Sequence, residues 1–131
     1  IYDDVPTTLD ELRRLEVRAA VFTNADPAMV SGALHASGIA DRFDVVVSTD
    51  ELRTFKPMPA TYAHALERAR VTAGSALFVT ANGWDAAGAT SAGLTVAWCN
   101  RARAPRERLG IDPAFEVHAL PDTVSCLSIR D

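Results

Sequence analysis

Three stretches of the chain carry side chains that could bind an anionic ligand or take part in its chemistry. Thr23-Asn24 follows a short apolar run, Lys56 precedes Pro57, and a third stretch runs from Thr80 to Asp85 with the sequence Thr-Ala-Asn-Gly-Trp-Asp. Hydroxyl and amide groups donate hydrogen bonds to anions, and an ammonium group attracts them. If the fold brings these stretches together, they form a site with one cation and one carboxylate.

Each of these residues also has a purely structural explanation. A Thr-Asn pair after a strand is common in turns, and Asp85 could cap the helix that follows it. A single lysine is usually solvated. Pro57 and Pro59, however, stiffen the backbone around Lys56, which a solvent-facing lysine does not require. Both explanations therefore stay open for each residue.

Two aromatic residues lie close to these stretches. Tyr62 falls in the first turn of the helix after Lys56, where core packing and a hydroxyl in a pocket fit the sequence equally well. Trp84 immediately precedes Asp85, and a large aromatic side chain at the mouth of a crevice is expected to line an apolar pocket. Both are candidates for substrate binding.

The sequence predicts no metal site and no Ser-His-Asp or Cys-His arrangement. His35 and His64 fall in predicted helices and His118 in a late strand, without partners at metal-ligand spacing. Cys99 and Cys126 are too few for a disulfide framework and wrongly spaced for zinc, which favours a reducing, cytoplasmic environment. We expect no cofactor.

The composition argues against several classes of protein. The 131 residues are 48% hydrophobic and 23% charged, which fits one domain over residues 1–131 with a sizeable core. The net charge of −4, without a basic stretch followed by aromatic residues, argues against nucleic acid as a partner. No apolar run approaches the roughly 20 residues of a membrane span, so we expect no membrane association. Of the 13 basic residues, 12 are arginine, and Lys56 is the single lysine.

The three stretches lie within a predicted alternation of helices and strands. Thr7 and Thr8, with Asp10 and Glu11 three residues later, predict a capping box and a helix over 8–15. The short apolar run over 17–23 then predicts a parallel strand that is covered on both faces.

The predicted alternation continues to the end of the chain. Asp26-Pro27 predicts the cap and first residue of a second helix, and Gly38 its end. The predicted strands are 17–23, 43–48, 76–80, 95–99 and an edge strand over 115–120, and further helices are predicted over 59–70 and 85–92. This pattern predicts an α/β fold with a parallel sheet, in which ligands bind beyond the carboxyl ends of the strands.

Taken together, the segments resemble the haloacid dehalogenase superfamily, and most closely its type II L-2-haloacid dehalogenases. The family's second, third and fourth motifs are matched by Phe22-Thr23-Asn24, by Phe55-Lys56-Pro57 with Pro59 and Tyr62, and by residues 79–85. Trp98-Cys99-Asn100-Arg101 resembles the sequence that follows the next strand in that family. Four motifs in the same order, over nearly the whole chain, make the resemblance specific.

The resemblance implies a Rossmann-like three-layer sandwich and favours its metal-free branch. Magnesium-dependent phosphatases of the superfamily carry a second acidic residue four positions before the last Asp of the fourth motif, where this chain has Ala81. The dehalogenase branch usually has two hydroxyls at the start of this motif. This chain keeps the first as Thr80 and lacks the second.

The resemblance also implies that part of the catalytic core lies outside this sequence. The family's nucleophile is an aspartate on a central strand, ahead of a helical cap domain, and neither precedes the first predicted helix. Asp3, Asp4 and Asp10 lie before or within that helix rather than after an apolar strand. We therefore expect a partial core, inactive alone, whose missing strand lies between the strands that end at Thr23 and Thr80.

In a complete relative, the resemblance implies hydrolytic dehalogenation of a small 2-haloacid through an aspartyl ester. Lys56 would hold the nucleophilic carboxylate and be held by Asp85. The remaining implied roles concern the substrate and the water: Thr23 and Asn24 would bind the substrate carboxylate or orient the nucleophile, Thr80 and Asn82 would fix Lys56 and the hydrolytic water, and Tyr62 and Trp84 would line the pocket. A homodimer is compatible with this family. A non-catalytic fragment or binding module stays open as an alternative, and a phosphatase is the less favoured one.

Overall fold

The computed structural model describes residues 1–128 and shows an α/β chain with parallel strands, which confirms the predicted fold class. The chain divides into two compact units, a first unit over Ile1–Phe55 and a second unit that begins at Lys56. The expectation of one domain over residues 1–131 stays a prediction. Within the described part of the chain, no helix is long and apolar enough to cross a membrane.

The first unit contains a two-stranded parallel sheet. Its elements are α1 (Asp4–Arg14), β1 (Ala20–Thr23), α2 (Pro27–Ala36) and β2 (Val45–Ser48). β1 and β2 pair in register, so that Thr23 lies opposite Ser48 at the carboxyl end. A short 3-10 turn, Thr49–Leu52, follows β2 directly. The polar residues after the two strands therefore share one edge of the sheet.

The predicted capping box at the start of α1 is wrong. The helix begins at Asp4, so Thr7 and Thr8 lie inside it. Their hydroxyls donate back to the Asp4 carbonyl at 3.2 and 2.6 Å instead of accepting from backbone N–H groups. At α2 the predicted cap is confirmed, because Asp26 Oδ1 accepts from two backbone N–H groups at 2.9 Å.

The first strand is shorter and less buried than the sequence predicts. It begins at Ala20, and Val21, Phe22 and Thr23 are only partly buried. The reason is that β2 is the one strand neighbour of β1 within residues 1–128. The apolar composition of β1 is typical of a strand with neighbours on both sides.

The second unit contains a three-stranded parallel sheet in the order β3-β4-β5. Its elements are α3 (Pro59–Ala69), β3 (Leu77–Thr80), α4 (Gly83–Ser91), β4 (Thr95–Cys99), β5 (Phe115–Val117) and α5 (Asp122–Leu127). The middle strand, β4, has the predicted bounds and is the most buried, with Val96 and Ala97 fully covered. α4 connects β3 to β4 and packs against both strands.

Three elements of the second unit differ by more than one residue from the sequence predictions. α4 begins two residues earlier than predicted, which places Asn82 rather than Asp85 at its cap position. α5 was not predicted, because its six residues are too few to show a helical period. β5 is the predicted edge strand, although it ends at Val117.

β1 and β3, the strands that end at Thr23 and Thr80, each lie at an end of their own sheet in the described residues. β1 pairs with β2 and β3 pairs with β4, so each has one strand neighbour. We expect a missing central strand between these two strands. That expectation stays a prediction.

Candidate active site

A buried carboxylate in the first turn of α4 is the centre of the candidate site. Asp85 is 0% exposed, and three side chains bind its two oxygens. Oδ2 accepts hydrogen bonds from Lys56 Nζ at 2.8 Å and from Thr80 Oγ1 at 3.0 Å, and Oδ1 accepts from Tyr62 Oη at 2.7 Å. The Asp85 side chain therefore binds Lys56, Tyr62 and Thr80, which together with Asp85 form the candidate site, and it does not cap the helix.

Lys56 reaches Asp85 from the loop that precedes α3. Its side chain is only 10% exposed, so its ammonium is not a solvated surface group. The ammonium also lies 5.5 Å from the centre of the Phe78 ring, within range of a cation–π interaction. The structural explanation that a lone lysine is usually solvated does not apply to Lys56.

Tyr62 reaches the same carboxylate from α3. It is 1% exposed, and its ring packs edge-on against Phe78 with 5.9 Å between ring centres. Burial raises the pKa of Tyr62, and its hydrogen bond and charge interaction with Asp85 raise it further. Since its hydroxyl donates to Asp85, Tyr62 supports the carboxylate, and its role toward a substrate stays a prediction.

The close approach of α3 to α4 depends on a glycine in α4. A Cβ atom at Gly88 would lie 2.6 Å from Tyr62 Oη and 2.6 Å from Pro57 Cβ. Real Cβ atoms do not approach other heavy atoms so closely, so the contact requires glycine at this position. Sequence reasoning missed Gly88, although a glycine inside a helix often has a packing reason.

Thr80 ends β3 and organises the turn into α4. Its hydroxyl donates to Asp85 and accepts a hydrogen bond from the Asn82 backbone N–H at 3.2 Å. Trp98 Nε1, from β4, donates to the Ala81 carbonyl at 3.1 Å and so fixes the same turn. The Asn82 side chain makes no capping bond, and Trp84 is 37% exposed.

The remaining predicted site residues lie in the first unit, after β1. Thr23 Oγ1 accepts a hydrogen bond from the Ala25 backbone N–H at 3.0 Å, as expected for a turn. Asn24 is exposed, and its Oδ1 accepts from the hydroxyl of Thr49 at 3.2 Å. These residues form a polar loop at the carboxyl end of the sheet in the first unit.

The structure thus brings Lys56, Tyr62, Thr80 and Asp85 into contact, with Asn82 joined through its backbone. Phe78 belongs to the same cluster and was not predicted. It lies two residues before Thr80 on β3, and residues two apart on a strand face the same side. That spacing was the signal that could have identified it.

His35 and His118 bond to backbone carbonyls that are not part of this cluster. His35 Nδ1 contacts the Ser31 carbonyl at 2.8 Å within α2, and His118 Nδ1 contacts the Asn100 carbonyl at 3.0 Å. Over residues 1–128, the structure contains no group of three or more His, Cys, Asp or Glu side chains arranged to hold a metal ion.

Comparison with known proteins identifies sequences and structures that are similar to this chain. Residues 1–93 match the family model of the haloacid dehalogenase-like hydrolases. (S)-2-haloacid dehalogenase 2 from Pseudomonas sp. (strain CBS-3) is 34% identical over 127 residues, which are 97% of this chain and 56% of that protein. The chain spans about half the length of the curated relatives it matches.

Two solved structures are similar over almost the whole chain. A crystal structure of an L-2-haloacid dehalogenase has a TM-score of 0.93 at 35% identity, covering 97% of this chain and 56% of that one. L-2-haloacid dehalogenase from Xanthobacter autotrophicus, with chloropropionic acid covalently bound, has a TM-score of 0.89 at 33% identity, covering 97% and 60%.

Gly88→Ala is expected to destabilise the chain by about 1–3 kcal/mol, the usual cost of overpacking a full site. The matched control is Gly32→Ala in α2, where an added Cβ meets nothing within 4 Å from outside its own stretch of helix. The control is expected to gain about 0.5–1 kcal/mol from the better helix former. Urea unfolding measures both variants. Equal stability of the two would contradict the packing described for Gly88.

Tyr62 is expected to make stability fall at alkaline pH. Because its pKa is raised in the folded chain, its contribution is fully present below the usual tyrosine pKa of about 10 and is lost as the pH rises above it. The unfolding free energy should fall by up to about 1.4 kcal/mol per pH unit from this group. Denaturant unfolding from about pH 8 to about pH 11 should show this slope in the wild type and in Tyr2→Phe, which keeps Tyr62. An identical slope in Tyr62→Phe would contradict the assignment.

Proposed function

Because the chain belongs to the haloacid dehalogenase-like hydrolase family, we propose that the protein containing it hydrolyses small 2-haloacids and releases halide. The observation that carries the proposal is the buried pair of Lys56 and Asp85. Their charged atoms are 2.8 Å apart, and their side chains are only 10% and 1% exposed. A cation held in this way is suited to binding a second carboxylate at a fixed place.

The first step of the proposed reaction is a displacement at C2 of the substrate. An aspartate carboxylate from a segment outside residues 1–131 attacks C2, a C–O bond forms, and the halide leaves with the electron pair of the C–halogen bond. C2 is inverted, and the substrate is held as an ester. The covalent adduct in the named Xanthobacter structure supports a covalent intermediate in that relative.

The second step regenerates the carboxylate. Water adds to the carboxyl carbon of the ester, the 2-hydroxyacid leaves, and a proton is released to solvent. In this scheme Thr80 and Asn82 fix Lys56 and the water, since Thr80 contacts both Asp85 and the Asn82 backbone. Asp85 acts through Lys56 and is not itself the nucleophile, because its side chain is only 1% exposed and so offers no oxygen to a substrate.

The substrate contacts are proposed for two polar and two aromatic residues, Thr23, Asn24, Tyr62 and Trp84. Thr23 and Asn24 bind the substrate carboxylate or orient the nucleophile, and both have donor groups suited to an anion. Trp84 lines the pocket together with Tyr62; its partial exposure leaves ring surface for a small apolar group. The type of each residue supports these roles.

Residue identity argues against a magnesium-dependent phosphatase as the alternative. Such an enzyme needs a second carboxylate beside the aspartate of the fourth motif, because Mg²⁺ prefers several oxygen ligands. The corresponding residue is Ala81, whose backbone carbonyl instead accepts a hydrogen bond from Trp98. The proposal of a 2-haloacid substrate rests on this difference and on the named relatives.

Lys56→Arg is expected to lower halide release from 2-chloropropionate by at least about a hundredfold while the protein stays folded. The planar guanidinium keeps the charge for Asp85 but does not occupy the place of a point-like ammonium. Lys56→Ala should also be inactive, although it leaves Asp85 buried without its cation and so destabilises the fold. Halide release and urea unfolding are measured in the protein that carries the upstream segment, which is the segment proposed to contain the nucleophilic aspartate.

The matched control for Lys56 is Arg68→Ala, which removes an exposed cation from α3. It should leave halide release unchanged. Wild-type activity in a folded Lys56→Arg variant would show that Lys56 is not the essential cation.

A further inference from the structure

The polar loop after β1 is held by Ser48, the last residue of β2, and by Thr49, the residue that follows it. Ser48 Oγ donates to the Ala25 carbonyl at 2.6 Å, and Thr49 Oγ1 donates to Asn24 Oδ1 at 3.2 Å. The Ala25 backbone N–H in turn donates to Thr23 Oγ1. Three consecutive residues, 23–25, are therefore fixed by Ser48, by Thr49 and by a bond within the loop itself.

The Ser48 bond and the Thr49 bond fix different parts of the loop. The Ser48 bond is made to a backbone carbonyl and so sets the path of the chain. The Thr49 bond is made to the Asn24 side chain and so sets the orientation of an amide. Only the second bond determines how a candidate ligand-binding group is presented.

Thr49 is buried and Asn24 is exposed, so the Thr49 hydroxyl fixes the Asn24 amide rather than the reverse. Thr49 is 1% exposed, so its hydroxyl is held by the packing of the 3-10 turn that follows β2. In an asparagine amide the oxygen accepts and the nitrogen donates, on opposite sides of the group. Holding Oδ1 toward Thr49 therefore turns the Nδ2 donor of Asn24 away from Thr49.

We propose that Thr49 is a positioning residue that fixes the Asn24 amide so that its NH₂ group donates to an anionic ligand. The inference rests on the proposed function, in which Asn24 binds the substrate carboxylate or orients the nucleophile. It adds a residue outside the resembling motifs and a reason for a buried hydroxyl directly after β2. A valine at this position would fill the same volume without the hydrogen bond.

The first test observes the Asn24 amide directly and needs no activity. In the protein that carries the upstream segment, labelling with ¹⁵N-asparagine gives one side-chain NH₂ pair for each asparagine, and Asn24→Asp identifies the pair of interest. Thr49→Val should shift the Asn24 pair, and Thr49→Ser, which keeps the hydroxyl, should restore it. Thr49→Ala replaces Thr49→Val if the latter does not fold.

The matched control is Thr8→Val, which removes another buried hydroxyl from the same unit. The Thr8 hydroxyl donates to the Asp4 carbonyl, so its loss should leave the Asn24 pair unchanged. An Asn24 pair that is the same in Thr49→Val as in the wild type would overturn the proposal. So would a Thr49→Ser variant that shifts the pair as far as Thr49→Val does.

The second test separates the inference from the proposed function. In the protein that carries the upstream segment, Thr49→Val should raise KM for 2-chloropropionate about three- to tenfold, the change expected for one lost hydrogen bond, with a smaller effect on kcat. Thr49→Ser should restore KM. An unchanged KM in Thr49→Val would overturn the proposal. If the wild type releases no halide, the proposed function fails and the amide measurement alone decides the inference.

Discussion

A carboxylate without exposed surface has to be neutralised and fully hydrogen-bonded, and the second unit of this chain meets that requirement at Asp85. An unpaired charge in the interior costs several kcal/mol, and removing one partner of a buried pair costs about 3–5 kcal/mol. The three partners come from the loop before α3, from α3 itself and from the end of β3. The hydrogen bonds to this one carboxylate therefore fix three segments relative to α4. Gly88, which has no side chain, allows α3 to pack closely against α4.

The same bonds that stabilise Asp85 give Lys56 a defined position. A lysine side chain is flexible and strongly hydrated, and both properties are lost when its ammonium lies between a carboxylate and an aromatic ring. In the proposed reaction this cation holds the attacking carboxylate. The bonds to Asp85 that pack α3 against α4 therefore also place Lys56 for the proposed reaction.

Much of this arrangement was accessible from the sequence, because its signals are local. Alternating apolar runs and turn residues predicted the α/β class and the bounds of β4. The ends of the strands made Lys56, Thr80 and Asp85 candidates, and the resemblance to the family's motifs implied that they act together. The contacts of Tyr62 and Gly88 were not accessible. The resemblance implied a place in the pocket for Tyr62, and no local pattern reports its bond to Asp85, 23 positions away. The start of α1 was misplaced because Thr7 and Thr8 bond equally well inside a helix as at its cap.

The most direct test of this arrangement is NMR detection of the Lys56 ammonium in protein labelled with ¹⁵N-lysine. Ammonium protons exchange rapidly with water when solvated and become observable when they are buried and hydrogen-bonded. We expect one such signal, identified by its absence from Lys56→Arg, and we expect it to disappear in Asp85→Asn. No Lys56 signal in the wild type, or a signal that is unchanged in a folded Asp85→Asn variant, would show that Asp85 does not hold Lys56.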